Sequence, residues 1–482
     1  MRELLLHARF NEADICERCG AGDIYEAERS ATTRKGKDVP SDALDALIRI
    51  FVDGYYLEQA QLLHFFSYED LGLLHKLGLL LQEPRRNNLC YSPVTLVPVS
   101  DCYVVSDRSW DPDGVALELA TDAVYPAAVP NTRRFLRLMP HRTCESFLDL
   151  CSGTGIAALI AARDFAATAY AVDIAERSVH FAEFNSMLNA LSNVINLAGN
   201  LYEPVRGRMF DCIVAHPPYV PVLRPKWIYH DGGQDGEEIV RAIIKGLPDF
   251  LKPGGTMFMQ AMGTDREEGP FEQRIRGWLG EDESDFDVAV VTRSTLDPAE
   301  FAIRSLLRGS AEASELGEWK QLFSELRVRD LVLGVMVIHR KDTDRPVFTV
   351  RRQFGKATGR PELEWLLRWE TAALDGSGAR RVLESPLLAS TNSELRILSR
   401  LENGDWQAGN YTLQTDYPFS MECGTEPWIA HLISKCDGRK TGLEHFRDMI
   451  DAGVVYAETP PEEFAEALMV LVSGGFVKLG GA

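Results

Sequence analysis

The stretch Leu148-Asp149-Leu150-Cys151-Ser152-Gly153-Thr154-Gly155-Ile156-Ala157-Ala158 decides how this chain folds. Phe147-Leu148-Asp149-Leu150 is a short apolar run, the length and composition of a buried strand, and Ile156 to Arg163 is an alanine-rich helix. Between them the glycines at 153 and 155 let the backbone turn sharply and approach a ligand closely. A strand thus delivers a glycine-rich turn that opens a helix, and the glycines also permit strained dihedrals there.

Outward from this stretch, strand and helix alternate. Ala169 to Val172 is a second strand and Ala175 to Asn189 a second helix. Short strands follow at Val194 to Leu197 and Phe210 to Ala215. A helix from about Gly236 to Leu251 leads through Lys252-Pro253-Gly254-Gly255 into a strand from Thr256 to Gln260. Later strands at Asp287 to Thr292 and Leu331 to His339 flank a polar, helix-like stretch over 297–328. Such alternation predicts an α/β fold with a doubly wound, mostly parallel, seven-stranded sheet, covered by helices on both faces.

Three regions differ in texture. Residues 1–110 begin with helical periodicity at 42–51 and 68–80, followed by strand-like runs at Val94 to Val99 and Cys102 to Val105, which predicts a helical, winged-helix-like domain. Residues 111–345 hold the α/β core. Residues 346–482 form a C-terminal α+β accessory domain, with a strand at Val347 to Val350 and a helix, turn, helix, helix tail that is winged-helix-like at its end. At 482 residues the chain is about twice what the core needs, so the flanking modules are expected to recognise a substrate or to form a homodimer.

Bulk properties bound the function. Apolar residues make up 45% and charged residues 25%, an ordinary globular composition that excludes disordered and fibrous classes. Asp plus Glu outnumber Lys plus Arg by 71 to 51, and a net charge of −20 disfavours nucleic acid held by bulk electrostatics. No apolar run reaches the ~18 residues of a membrane span, and the N-terminus lacks the pattern of a secretory signal. Nine scattered cysteines suit a reducing compartment, so a cytoplasmic location is expected. Cys16-x-x-Cys19 is half of a zinc site with no second pair nearby, so no metal is expected. The basic cluster Arg133, Arg134, Arg137 and Arg142 and the acidic run 281–285 read as solvated faces.

Gly153-x-Gly155-x-x-Ala158 also satisfies the dinucleotide fingerprint, and Asp173, at the end of the second strand, is placed to accept the two hydroxyls of a ribose. The pair suits NAD or S-adenosylmethionine. Two features favour the second. Asp149 sits just before the glycines, where a carboxylate pairs with an ammonium and repels a pyrophosphate. Ala215-His216-Pro217-Pro218-Tyr219 follows the fourth strand at the carboxyl edge of the sheet, where open α/β sheets bind ligands.

These residues resemble the class I S-adenosylmethionine-dependent methyltransferases, and within them the group of release-factor glutamine methyltransferases and related amino-group methyltransferases. The resemblance runs from about Phe147 to Gln260 and includes Asp149-x-x-x-Gly153-x-Gly155, Asp173, Gly199-Asn200-Leu201-Tyr202-Glu203-Pro204, Pro217-Pro218-Tyr219, Gly232-Gly233-Gln234-Asp235-Gly236 and Leu251-Lys252-Pro253-Gly254-Gly255. The flanking regions resemble multi-domain bacterial methyltransferases. The resemblance implies S-adenosylmethionine held by Asp149, Cys151, Gly153, Gly155, Asp173, Ile174, Asn200 and Leu201, with His216 reaching both cofactor and acceptor. Asn200 stands where the family has an Asp facing the adenine amino group, and its amide oxygen can accept the same hydrogen bond.

The larger departure is His216, where the family pattern is Asn-Pro-Pro-Tyr. In that pattern the Asn carbonyl and a backbone carbonyl take hydrogens from a planar amino group while Tyr stacks on it. His216 can accept one such hydrogen or act as a general base. The catalytic candidates are therefore His216, Pro217 and Tyr219. Tyr125, Trp227, Tyr229 and His230, with Asp231, are candidates for the substrate wall, and Tyr125-Pro126 and Asn131 precede the core where related enzymes place residues over the cofactor. The expected acceptor is a nitrogen or oxygen of a peptide, protein or small amino-bearing metabolite. A nucleic-acid amino-methyltransferase, a nicotinamide-dependent oxidoreductase and a cofactor-binding protein without catalysis remain alternatives.

Overall fold

The computed structural model describes residues 1–30, 39–307 and 313–480. The chain divides into two compact units, Met1–Met262 and Gly263–Ala482.

The first unit is built on parallel strands β1 (Cys144–Leu150), β2 (Ala166–Asp173), β3 (Val194–Ala198), β4 (Phe210–Ala215) and β5 (Leu251–Arg266). Their order in space is β3-β2-β1-β4-β5. The order reverses between β1 and β4. Because parallel crossovers are right-handed, the connections running one way from β1 and the other way from β4 put their helices on opposite faces. Those crossover helices are α2 (Ile156–Asp164), α3 (Glu176–Leu188) and α4 (Glu238–Phe250), and α1 (Pro130–Leu138) precedes β1. Every residue of α2 from Ile156 to Ala162 is buried, which explains its alanines: small side chains let a helix be covered on all sides. Lys252 to Gly255, expected as a loop, is taken into β5 as an irregularity of its pairing with β4.

Ahead of the core, helices lead into a three-stranded sheet of Leu57–Glu58, Arg86–Tyr91 and Leu81–Glu83. The helix predicted over 42–51 runs from Ala43 and widens into a π turn over Ile48–Asp53. The carbonyls of Ile50 and Phe51 in that turn accept from the buried Arg108 guanidinium. The strand pair expected as the wing of this domain, Val94–Val99 with Cys102–Asp107, stands as its own two-stranded sheet. Its first strand packs against the Ile48–Asp53 turn, where Arg108 also donates to the Val94 carbonyl, and its second strand packs against α3. Asn189 of α3 exchanges bonds with the Tyr103 backbone, and Asn185 does the same with Val105.

The second unit holds the last two of the seven expected strands, β6 (Phe286–Leu296) and β7 (Val328–Arg340), which pair antiparallel. Its sheet continues. β8 (Thr349–Phe354) pairs parallel with β6, and then come β11 (Phe419–Thr425), β10 (Asp405–Thr415) and β9 (Glu394–Glu402), all antiparallel. Within the helix-like stretch 297–328, helices form at Pro298–Leu307 and Leu316–Glu325, and residues 308–312 lie outside the described residues. A separate core gathers Trp369, Val382, Leu432, Phe446, Phe464 and Phe476. Asp437–Thr441, expected as a turn, is a strand paired with Pro386–Ala389.

Candidate functional site

The carboxyl ends of β1, β2, β3 and β4 carry nearly all of the residues singled out in the sequence. After β1 the chain passes through Cys151, Gly153 and Gly155, all at positive φ, before α2 begins. Gly155 is required there. Its φ is +77°, and a Cβ on it would stand 2.9 Å from the Cβ of Ala182 on α3. Gly153, at φ +53°, has nothing within 4 Å of its missing Cβ. The loop is thus tight against the protein at one glycine and open at the other, a cradle that a ligand can enter.

Two acids flank the cradle. Asp149 is buried, and its Oδ2 accepts from the Ala158 N–H in the first turn of α2 at 3.3 Å. Burial pushes its carboxyl up to about 8. The bond from Ala158 works against this and the charge of Asp173 adds to it. No lysine or arginine pairs with Asp149 among the described residues. Asp173 accepts from the Gly153 N–H at 2.8 Å and from the Ala175 N–H at 2.9 Å, one on each oxygen. Burial raises its pKa, and those backbone bonds pull it back. The Ser178 hydroxyl and the Ile174 N–H also donate to this carboxylate. Next to it Ile174 is 58% exposed, an apolar face set beside a polar anchor. Asn200 is exposed past the end of β3, and Leu201 follows at φ +49°. Cys151 is held protonated by burial, its thiol pKa raised well above the ordinary value.

This donor set fits S-adenosylmethionine. A buried carboxylate without a cation suits an ammonium, the Asp173 carboxylate suits ribose hydroxyls, the exposed Ile174 suits an adenine face, and the open Gly153 leaves room beside them.

His216 stands at the end of β4, half-buried. Its ring lies on Phe135 of α1, 5.2 Å between centroids and 22° between planes, and on Tyr219 at 5.9 Å and 27°. Burial, helped by the Arg134 charge, lowers its pKa to about 4, so the ring is neutral. Gln260, buried near the end of the first-unit part of β5, places its Nε2 3.1 Å from His216 Nε2 and 3.0 Å from the Asn131 carbonyl oxygen. Its own Oε1 is buried without a protein partner. Asn131 donates to the Tyr219 hydroxyl at 3.4 Å and accepts from Arg134 at 3.3 Å.

The remaining candidates form a second cluster. Tyr125 stacks on Tyr229 at 5.0 Å, and Tyr229 on Trp227 at 6.2 Å. His230 meets Trp227 edge-on and bonds Asp231. This loop is tied to the Pro217-Pro218-Tyr219 segment, because Val220 exchanges backbone bonds with His230 and Gly232. A Cβ on Gly232 would meet the Tyr219 backbone at 2.7 Å.

Sequence reading missed Gln260, Phe135 and Asn185 as parts of the site. Gln260 is a polar residue closing the apolar run Met257-Phe258-Met259 at the ligand edge of the sheet, which is a readable signal. Asn185, fully buried on α3, also donates to the Thr154 carbonyl at 3.0 Å and so ties the glycine turn to the 102–107 strand.

The methyltransferase small domain family matches residues 129–273. A ribosomal protein uL3 glutamine methyltransferase of Bradyrhizobium diazoefficiens is 34% identical over 33% of this chain and 54% of its own length. A release factor glutamine methyltransferase of Thermodesulfovibrio yellowstonii is 32% identical over 24% of this chain and 47% of its own. A chain of Methanocaldococcus jannaschii named "putative protein N5-glutamine methyltransferase" is 31% identical over 30% of this chain and 75% of its own. The chain spans about half the length of the first two relatives.

Proposed function

Because the chain belongs to the S-adenosylmethionine-dependent methyltransferases, in the group that includes the protein glutamine methyltransferases, we propose that it transfers a methyl group to a nitrogen or oxygen of a protein or peptide side chain. A small amino-bearing metabolite is the smaller version of the same acceptor. The observation that carries this reading is the facing of two half-sites across the reversal in strand order: the Asp149, Gly153, Gly155 and Asp173 cradle after β1 and β2, and His216-Pro217-Pro218-Tyr219 after β4. When bound, S-adenosylmethionine supplies a methyl group activated on a sulfonium.

The chain's own residues bind and orient. Asp149 neutralises an ammonium in a site where water is excluded. Asp173, held by two backbone N–H groups, fixes a ribose. Ile174 and the Asn200-Leu201 turn cover and edge an adenine. Pro217 and Pro218 end the strand, because proline supplies no N–H to the ladder, and turn Tyr219 across the pocket. Tyr125, Trp227, Tyr229 and His230 wall the acceptor. Methyl transfer is an in-line displacement, and such positioning supplies much of its rate.

No helix among the described residues is long and apolar enough to cross a membrane. A cytoplasmic location beside translation components fits the names of the relatives. The test is calorimetric titration with S-adenosylmethionine, S-adenosylhomocysteine and NAD, using the wild type and Asp173→Ala. Binding of both adenosyl ligands, weakened by the substitution, supports the reading; binding of NAD alone removes it.

A further inference from the structure

His216 is the residue in which this chain departs from Asn-Pro-Pro-Tyr, and its hydrogen bonding gives the departure a direction. The Gln260 amide nitrogen carries two hydrogens. One goes to the Asn131 carbonyl oxygen at 3.0 Å and the other to His216 Nε2 at 3.1 Å. The reverse setting of the amide would put its oxygen against the Asn131 carbonyl, acceptor against acceptor. His216 Nε2 is therefore the lone-pair nitrogen, and a neutral imidazole must then carry its proton on Nδ1. Nδ1 is absent from the buried, unpartnered polar atoms of the described residues, so this N–H faces accessible space. An Asn in the same place would offer a carbonyl; His216 offers a donor.

A donor selects a different nucleophile. An amide or amine nitrogen turns its hydrogens toward the protein while its lone pair meets the methyl group, so at Nδ1–H it brings hydrogen against hydrogen. A carboxylate oxygen has lone pairs to spare, one to attack and another to accept. Its charge is also met by Arg134, which sits close enough to act on His216 and donates to Asn131.

We propose that the acceptor is a side-chain or terminal carboxylate of a peptide or protein, bound through the Nδ1–H of His216, and that Gln260 is the positioning residue that sets this choice by holding the ring in one tautomer. This rests on the methyltransferase reading above. The step needs no base. A lone pair of the carboxylate oxygen forms the O–CH3 bond as the S–CH3 bond breaks, and that bonding pair passes to sulfur. An anion and a sulfonium become a neutral ester and a neutral thioether, and no proton moves. This agrees with a ring that has no vacant basic nitrogen: Nε2 is taken by Gln260 and Nδ1 is protonated. A hydroxyl or an ammonium would need such a base.

The experiment is nitrogen-15 NMR of the full chain labelled at histidine, with His216→Asn used to assign the signal among ten histidines. S-adenosylhomocysteine is bound first, and its calorimetric titration tests the cofactor separately. N-acetylglutamic acid 1-amide and N-acetylglutamine amide, differing only in the terminal oxygen or NH2, are then added. The expected result is a protonated Nδ1 in the wild type, its signal moved by the carboxylate probe, with affinity at least about tenfold above the amide probe. Gln260→Met should give mixed tautomers and lose the preference, and His216→Asn should favour the amide. A protonated Nε2 in the wild type, equal or tighter binding of the amide, or no binding of either probe to the S-adenosylhomocysteine complex overturns the proposal while leaving the cofactor reading standing. Loss of S-adenosylhomocysteine binding would instead sink the reading beneath it.

Discussion

Asp149 concentrates the electrostatics of the cradle. An acid held near 8 in the ligand-free protein, against 3.8 in an open chain, keeps its proton where the unfolded chain has lost it. Stability contributed by this group is therefore full below about pH 4 and declines as pH rises to about 8. Asp149→Asn should make the free protein more stable at pH 8, by on the order of 2 kcal/mol, measured by urea unfolding. The same change should weaken S-adenosylhomocysteine binding by roughly 10- to 100-fold, the scale of one charge-assisted bond. An ammonium beside Asp149 also draws it to the anion. At pH 7 binding should release up to one proton, read by calorimetry in buffers of different ionisation enthalpy, and affinity should climb with pH and level off near 8. Proton uptake, or a pH-independent affinity, would place the ammonium elsewhere.

His216 makes the opposite case. With a pKa near 4 against an ordinary 6.5, its ring stays neutral through the whole working range. The stability it contributes is complete above about pH 6.5 and lost as pH falls toward 4. Turnover should show no limb between pH 6 and 7 that disappears in His216→Asn. Such a limb would mark the ring as a titrating base.

At the scale of elements, one polar side chain fastens three segments. Asn185, on α3, accepts from the Val105 N–H at 2.8 Å and donates to the carbonyls of Val105 at 3.2 Å and Thr154 at 3.0 Å, with no exposure to water. Its loss leaves buried backbone groups of two segments unpaired. Asn185→Leu should cost about 3 kcal/mol of stability and lower S-adenosylhomocysteine affinity, because the turn carrying Gly153 is no longer tied down. A variant with unchanged affinity would show that the turn holds its shape without the tie.

This element also marks where sequence reading stops. The strand–glycine–helix run, Asp173 and Pro217-Pro218-Tyr219 were legible, because each is local: its meaning lies in neighbours along the chain. The destination of the 94–107 hairpin was not. Its nearly continuous apolar residues ask only for partners, and it takes two: the first strand lies on the Ile48–Asp53 turn, and the second is bonded by Asn185 and Asn189 of α3, about 80 residues away. Gln260 was legible as a polar residue at the ligand edge of the sheet, but its bond to His216 was not, since that bond joins residues far apart in the chain.

For the whole molecule, the texture change near residue 346 and the fold part company. β8 begins at Thr349 and pairs along five residues with β6, inside the second unit's sheet. Arg351 on β8 binds Asp265 at 2.7 Å and also Glu272, while Arg276 donates to the Phe348 carbonyl at 2.6 Å. A chain cut at 346 therefore loses a strand whose far side is paired in turn by β11. It strands the carboxylates of Asp265 and Glu272 without their guanidinium, and it bares the apolar edge of β6. Paired charges broken from one side are costly, because the survivor stays desolvated. Deleting 346–482 should lower the second unit's unfolding temperature by roughly 10 °C or more, or abolish its cooperative transition in calorimetry. The arm formed by β9 and β10 is the control. β9 is exposed along its length, and Leu401 and Trp406 face solvent at 60% and 72%. Replacing residues 399–409 with Asn-Gly closes the same hairpin two residues wide and removes no buried contact. That variant should unfold within about 2 °C of the full chain. If it falls as far as the deletion, the arm is part of the unit's stability; if the deletion keeps its transition, β8 is dispensable and the unit ends where the sequence texture changes.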